Sequence, residues 1–193
     1  LAEIAAEPVG TGVVHDAVAS GEVAAGRVLV PAAVLVPVVL GTVPSILLTK
    51  RSAQLSNHAG QVSFPGGRID PVDSGPEAAA LREAQEEIGL DPGVVEVLGR
   101  MPDHVTGTGY RITPVLAVLP PYLSYVRSTD EVESIFELPI EVVLDPDAPR
   151  LQRQHVRGVW REYWVWPHPE HYIWGATAAI LVRLAERLRQ RSG

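Results

Sequence analysis

Apolar residues in this chain follow two different periods. Between Val28 and Leu48 they run almost unbroken, and none of these 21 residues carries a charge. That is the length of a membrane-spanning helix. Pro31, Pro37, Gly41 and Pro44 interrupt it, however, and β-branched valine dominates. Two strands near Ala33–Leu40 and Ser45–Lys50, joined by a Gly41-Thr42-Val43-Pro44 turn, fit better. Continuous apolar runs suit strands covered on both faces. The period changes to 3.6 residues between Ala78 and Ile88, where strong helix formers place Leu81, Ala84 and Ile88 on one stripe. Ser74 and Glu77 predict a capping box ahead of this helix, with Pro76 in its first turn. Gly89 suits a left-handed stop.

The remaining pattern alternates strands with short helices. Val94–Arg100 reads as a strand and Met101–Gly109 as a loop. In that loop His104 is a loop histidine, and Thr106-Gly107-Thr108-Gly109 is a turn before it is a phosphate cradle. Tyr110–Leu119 is a strand in which Pro114 predicts an edge or a bulge. Ile135–Leu138 follows an acidic cluster, Asp130 to Ser134, and Pro139 opens a short helix to about Leu144. Trp160–Trp166 reads as half of a hairpin turning at Gly158, its aromatic side chains either packed in the core or lining a pocket. Ile173 to Arg191 is an amphipathic helix with Thr177, Leu181, Leu184 and Leu188 on one stripe. Leu1 to Gly26 lacks the basic and then apolar order of a signal peptide, and a short helix is expected around His15 to Ala19. The expectation is therefore an extension or short helix over 1–26 and one α/β domain over 27–193.

Composition narrows the chemistry. Zero cysteine among 193 residues excludes disulfides, thiolate zinc and cysteine nucleophiles, and fits a reducing cytoplasm. A net charge of −7 argues against nucleic acid as a partner, though not against a phosphorylated small molecule held by metal ions. His168 and His171 lack the spacing and companion ligands of a zinc site.

The acidic face of the predicted helix carries the chemistry. Glu83, Glu86 and Glu87 lie at i, i+3 and i+4 and share one side. Glu83 and Glu87 repel each other, and the last turn of a helix favours cations over Glu86 and Glu87. Either this is a solvated acidic face, or a hard divalent cation such as Mg²⁺ or Mn²⁺ reverses both penalties.

The segment Gly67 to Leu90 resembles the Nudix box, G-x5-E-x7-R-E-U-x-E-E-x-G-U, with U a bulky aliphatic. Gly67, Arg82, Glu83, Glu86, Glu87, Gly89 and Leu90 match in type. Asp73 stands where the pattern has Glu, eight residues rather than seven separate it from Arg82, and Ala84 holds the first U position. The preceding flank, Leu47-Leu48-Thr49-Lys50-Arg51-Ser52-Ala53 and then Gly60-Gln61-Val62-Ser63-Phe64-Pro65-Gly66-Gly67, resembles the coenzyme A pyrophosphatase branch of that family. Ser56 occupies the place where that branch usually has Arg. Tyr172 to Thr177 also resembles the end of that branch.

The resemblance implies a Nudix-type α/β/α sandwich with a mixed β-sheet, and metal-dependent cleavage of a pyrophosphate. It implies Gly67, Glu83, Glu86 and Glu87 as metal ligands for Mg²⁺ or Mn²⁺, with Arg82 orienting the glutamates. Glu83, or an acid from a late loop, would serve as general base; there Glu131 is the first candidate and Glu133 the second. Arg51, Ser52, His58, Gly60 and Arg68 are the expected substrate contacts, and Lys50 is a further basic candidate. The expected partner is a coenzyme A-like nucleotide, with neither nucleic acid nor membrane, and with room for a homodimer. ADP-ribose or a dinucleotide as substrate, or a non-catalytic nucleotide-binding module, are the other readings.

Overall fold

The computed structural model describes residues 14–15, 28–55, 58–156 and 159–192. The uncharged run becomes two strands, β2 (Val30–Val39) and β3 (Ser45–Arg51). Side chains alternate along β2. Ala33, Leu35 and Val39 enter one core cluster, and Val34, Val36 and Val38 enter the other. Both faces of the strand are therefore covered, which is why no polar residue interrupts it. No helix among the described residues is long and apolar enough to cross a membrane.

Strand β8 (Tyr110–Leu119) lies parallel to β2 in continuous register, from Val30 beside Tyr110 to Val39 beside Leu119. The other side of β2 is shared. Its end pairs antiparallel with β3, Val38 beside Ile46, while its start pairs with β5 (Gly66–Arg68), Ala33 beside Gly67. A wedge therefore opens between the far end of β3 and β5. Strand β4 (Val62–Ser63) pairs with β3, as does β9 (Val132–Pro139) on its other edge. Beyond β8 lie β6 (Glu96–Arg100) and β7 (His104–Val105), and β7 pairs parallel with β1 (Val14–His15).

Helix α1 (Pro76–Ile88) covers one face through Ala79, Ala80, Ala84 and Ile88. The other face holds α2 (Ile140–Leu144), α3 (Gly175–Ser192) and a small sheet of β10 (Arg150–Val156), β11 (Val159–Trp166) and β12 (Ile173–Trp174). Leu181, Leu184, Trp166 and Ile173 pack there against Val36, Leu48 and Leu116. The expected sandwich with a mixed sheet is present.

Four local expectations change. Helix α1 has Gly75 as its N-cap and no side-chain cap. Glu77 instead receives Arg100 Nε and Nη2 at 2.6 and 2.7 Å, a two-point charge-assisted pair. Pro114 is not on an edge strand. It lies where the antiparallel neighbours of β8 change from β7 to β6, and its carbonyl accepts the Met101 N–H at 2.8 Å. A missing N–H is tolerated at such a break in the ladder. His104 is fully buried in β7 rather than in an open loop. His15 belongs to β1, so no helix starts there; residues 16–19 of that expected helix lie outside the described residues, as do Ser56 and Gly158.

Candidate active site

The wedge beside β2 is the place where α1 meets the strand ends. Gly89 closes the helix at φ 65°, its N–H bonded to Gln85 O at 2.9 Å, as a left-handed stop requires. The two carbonyls before it are capped by a distant loop. Ser128 N–H donates to Glu87 O at 2.8 Å and Val126 N–H to Ile88 O at 3.0 Å. The same loop is tied to the end of β3 by Ser52 N–H donating to Glu131 O at 2.8 Å. Helix end, late loop and β3 are thus one hydrogen-bonded unit, and Glu131 is exposed upon it.

Arg82 organises the acidic face. Its Nε and Nη2 donate to the two Asp73 oxygens at 3.0 Å each. Its Nη1 donates to Glu83 and Glu86, also at 3.0 Å each, and Nη2 reaches the Arg68 carbonyl at 3.1 Å. Asp73 itself is clamped, since its Oδ2 accepts the Asp70 N–H at 2.8 Å and its own N–H donates to Asp70 O at 3.0 Å. This tight turn lies in the loop ahead of the helix, where the extra residue falls. The Arg82 bonds, and next the Asp70 N–H, hold the Asp73 carboxyl below its usual range.

Glu87 points inward and is 2% exposed. It accepts the Gly66 N–H at 3.2 Å and lies 3.5 Å from Arg51 Nη1. Burial pushes its carboxyl up to about 7; Arg51 and the Gly66 N–H oppose that rise, while Glu83 and Glu131 add to it. Glu83 is raised in the same direction, again chiefly by burial. A Cβ on Gly67 would overlap the Glu83 carboxylate, so only glycine lets this acid lie against the β5 backbone. Glu87 is buried, Glu83 part-buried and Glu86 exposed, and clustered carboxylate oxygens of this kind suit a hard divalent cation. Glu83, Glu86, Glu87 and the Gly67 carbonyl are the candidate groups for such an ion. Among the described residues no three acidic or imidazole groups stand in a ready-made ion cage. Guanidinium groups of Arg82 and Arg51 lie against these acids instead.

The other expected contacts are spread more widely. Ser52 is buried, and its Oγ accepts the Gln54 N–H at 3.3 Å, which shapes the turn after β3. His58 is exposed at φ 57°, with Nδ1 2.9 Å from Gln61 Oε1, and Gly60 lies two residues on at φ 70°. Arg68 is exposed at the end of β5 and donates to Tyr110 Oη at 3.2 Å. Glu133 pairs with Lys50 Nζ at 2.6 Å, on the opposite side of β3 from Arg51. Sequence reasoning left the role of Asp73 open and missed the docking of residues 126–128 on the helix end. A short acid in a turn before the helix is the one readable sign of the first. Nothing local signals the second.

A sequence profile of the NUDIX domain matches residues 29–173. The chain is similar to the uncharacterized Nudix hydrolase NudL of Citrobacter koseri, with 45% identity over 165 residues and 83% of each chain covered. It is similar to NudL of Escherichia coli K12, at 43% identity over 159 residues and 80% of each. Among solved structures it resembles the Nudix hydrolase RenU of M. smegmatis, with a TM-score of 0.56 and 23% identity, covering 83% of this chain and 86% of that one. It also resembles the NUDIX domain of Shewanella oneidensis NrtR, solved in complex with ADP ribose, with a TM-score of 0.52 and 18% identity over 86% and 89% of the two chains. At these identities the structural likeness concerns the fold.

Proposed function

The chain belongs to the Nudix hydrolase family, enzymes acting on pyrophosphate bonds, and we propose that this one cleaves the pyrophosphate of coenzyme A or its derivatives. The products are 4′-phosphopantetheine and adenosine 3′,5′-bisphosphate. The observation that carries the reading is the approach of Arg51 to Glu87 across the wedge. Arg51 ends β3 within the coenzyme A-type flank, and Glu87 ends the acidic face of α1. The segment expected to recognise the substrate thus borders the segment expected to cut it.

Glu83, Glu86, Glu87 and the Gly67 carbonyl would hold Mg²⁺ or Mn²⁺. When bound, such an ion neutralises the pyrophosphate and lowers the pKa of a water poised for in-line attack at phosphorus. Arg82 keeps Glu83 and Glu86 oriented, itself fixed by Asp73. Glu83, or Glu131 from the docked loop, takes the proton of the attacking water. Arg51 and Arg68 meet phosphate oxygens with charge-assisted bonds. Ser52 and Gly60 shape the turn that presents Arg51, and His58 stands at its exposed rim. A small nucleotide-like molecule in the cytoplasm is the partner, rather than nucleic acid or membrane, and a homodimer fits the same reading.

Ser56, in the place of the usual Arg, favours a second substrate reading: ADP-ribose or a dinucleotide. A binding module without catalysis is disfavoured, since nothing would then maintain repelling acids at 83, 86 and 87. The test is a panel of coenzyme A, ADP-ribose, NADH, diadenosine polyphosphates and nucleoside triphosphates, each with Mg²⁺ or Mn²⁺. Coenzyme A is expected to have the highest kcat/KM. Preference for ADP-ribose or a dinucleotide overturns the branch assignment, and hydrolysis of none favours the binding module.

A further inference from the structure

On the sheet face opposite the acidic cluster, the hairpin of β10 and β11 and the turn 167–172 border an open cleft of about 490 Å³. That is within the range of small-molecule sites. Its walls include Arg150, Gln152, Trp166, His168, His171 and Tyr172, and no carboxylate lines it. The floor is aromatic. His171 stacks on Phe136 with ring centroids 3.8 Å apart and planes 19° from parallel, and His168 stacks on His171 at 4.9 Å. Pro167 and Pro169 add flat apolar surface.

Two polar atoms beneath this floor are buried without a protein partner. Trp166 is fully buried, yet its Nε1–H has no acceptor. A buried tryptophan N–H ordinarily finds one, and it is a donor only. His171 Nδ1 is buried and likewise unpaired. His168 Nδ1 accepts the N–H groups of Glu170 and His171 at 3.1 Å each, so its proton sits on Nε2, a further donor. The Arg150 cation, the His168 Nε2–H, flat rings and a lining without carboxylates describe a host for a planar group that carries an anion.

We propose that this cleft is a second ligand site, which takes a nucleoside monophosphate with its base on the ring floor and its phosphate at Arg150. Arg suits a phosphate because its planar fork engages two oxygens at once. The site stands apart from the hydrolytic one. Trp166 and Phe136 belong to the core cluster under α3, whereas the glutamates project from α1 on the other face. It uses no metal ligand, so it holds whether or not coenzyme A is the substrate.

The test is the Trp166 indole N–H signal in the 193-residue chain, followed by NMR in chelator so that the carboxylate site takes no part. Four tryptophans give four such signals, and Trp166→Phe identifies the relevant one. AMP is expected to shift it saturably with a Kd below about 1 mM, while adenosine and inorganic phosphate bind at least about tenfold more weakly. Arg150→Ala changes an exposed residue and should bring AMP to the level of adenosine. No saturable shift, phosphate binding as tight as AMP, or an unchanged affinity in Arg150→Ala each overturns the proposal. Should Trp166→Phe not fold, the Arg150→Ala comparison by calorimetry decides in the same way.

Discussion

At the scale of single residues, Glu87 ties stability to pH and, on the proposed function, to metal. Its carboxyl ordinarily titrates near 4.5 and here near 7, so the folded protein binds more protons than the unfolded chain between these values. Stability therefore falls as pH rises through that window, and the cost is complete above about 7. Asp73 and Glu77, held low by their arginines, act the opposite way and only at lower pH. In chelator the melting temperature of the native chain should drop, relative to Glu87→Gln, as pH goes from 4.5 to 7. Millimolar Mg²⁺ should close the gap above pH 7, because an ion that binds only the folded state stabilises it. Parallel melting curves at every pH would contradict the burial argument. The acidity of this position was legible in the sequence from its spacing alone. Its burial was not, because that depends on β5 and the loop at 126–128 closing over the helix end.

Among elements, α1 was the most readable. Its boundaries follow from Pro76, the run of helix formers and Gly89, and its buried stripe from the 3.6-residue period. The capping box was misread because Glu77 had a long-range choice, Arg100 of β6, that no local pattern reveals. Pro114 was misread for a similar reason: the break between β6 and β7 is a property of three strands. These readings predict different outcomes for two acids near the start of the helix. Asp73→Asn removes the charge that holds Arg82 and should lower kcat by about tenfold or more, since a misoriented ligand set loses transition-state stabilisation. Glu77→Gln loosens a pair more than a third exposed and should leave kcat within about twofold. Equal losses in both would mean that Arg82 does not position the glutamates.

Over the whole molecule, the sheet does the positioning. Strand β2 shares one edge between β3 and β5, and the wedge between them lets a backbone N–H, a guanidinium and a helix carboxylate converge. The apolar run at 28–48 announced the central strands, and the motif announced the helix. The sharing of one strand edge is a fact of topology that neither stretch contains. On the proposed function, hydrolysis depends on the carboxylates of α1. The most direct test is the initial rate of coenzyme A cleavage with Mg²⁺ by the native chain and by folded Glu87→Gln, read as released adenosine 3′,5′-bisphosphate. The variant keeps the shape of the side chain and removes one charge from the proposed ligand set. A rate on the order of a hundredfold lower, or less still, is the predicted result. Turnover near that of the native chain in a variant that melts normally would contradict it.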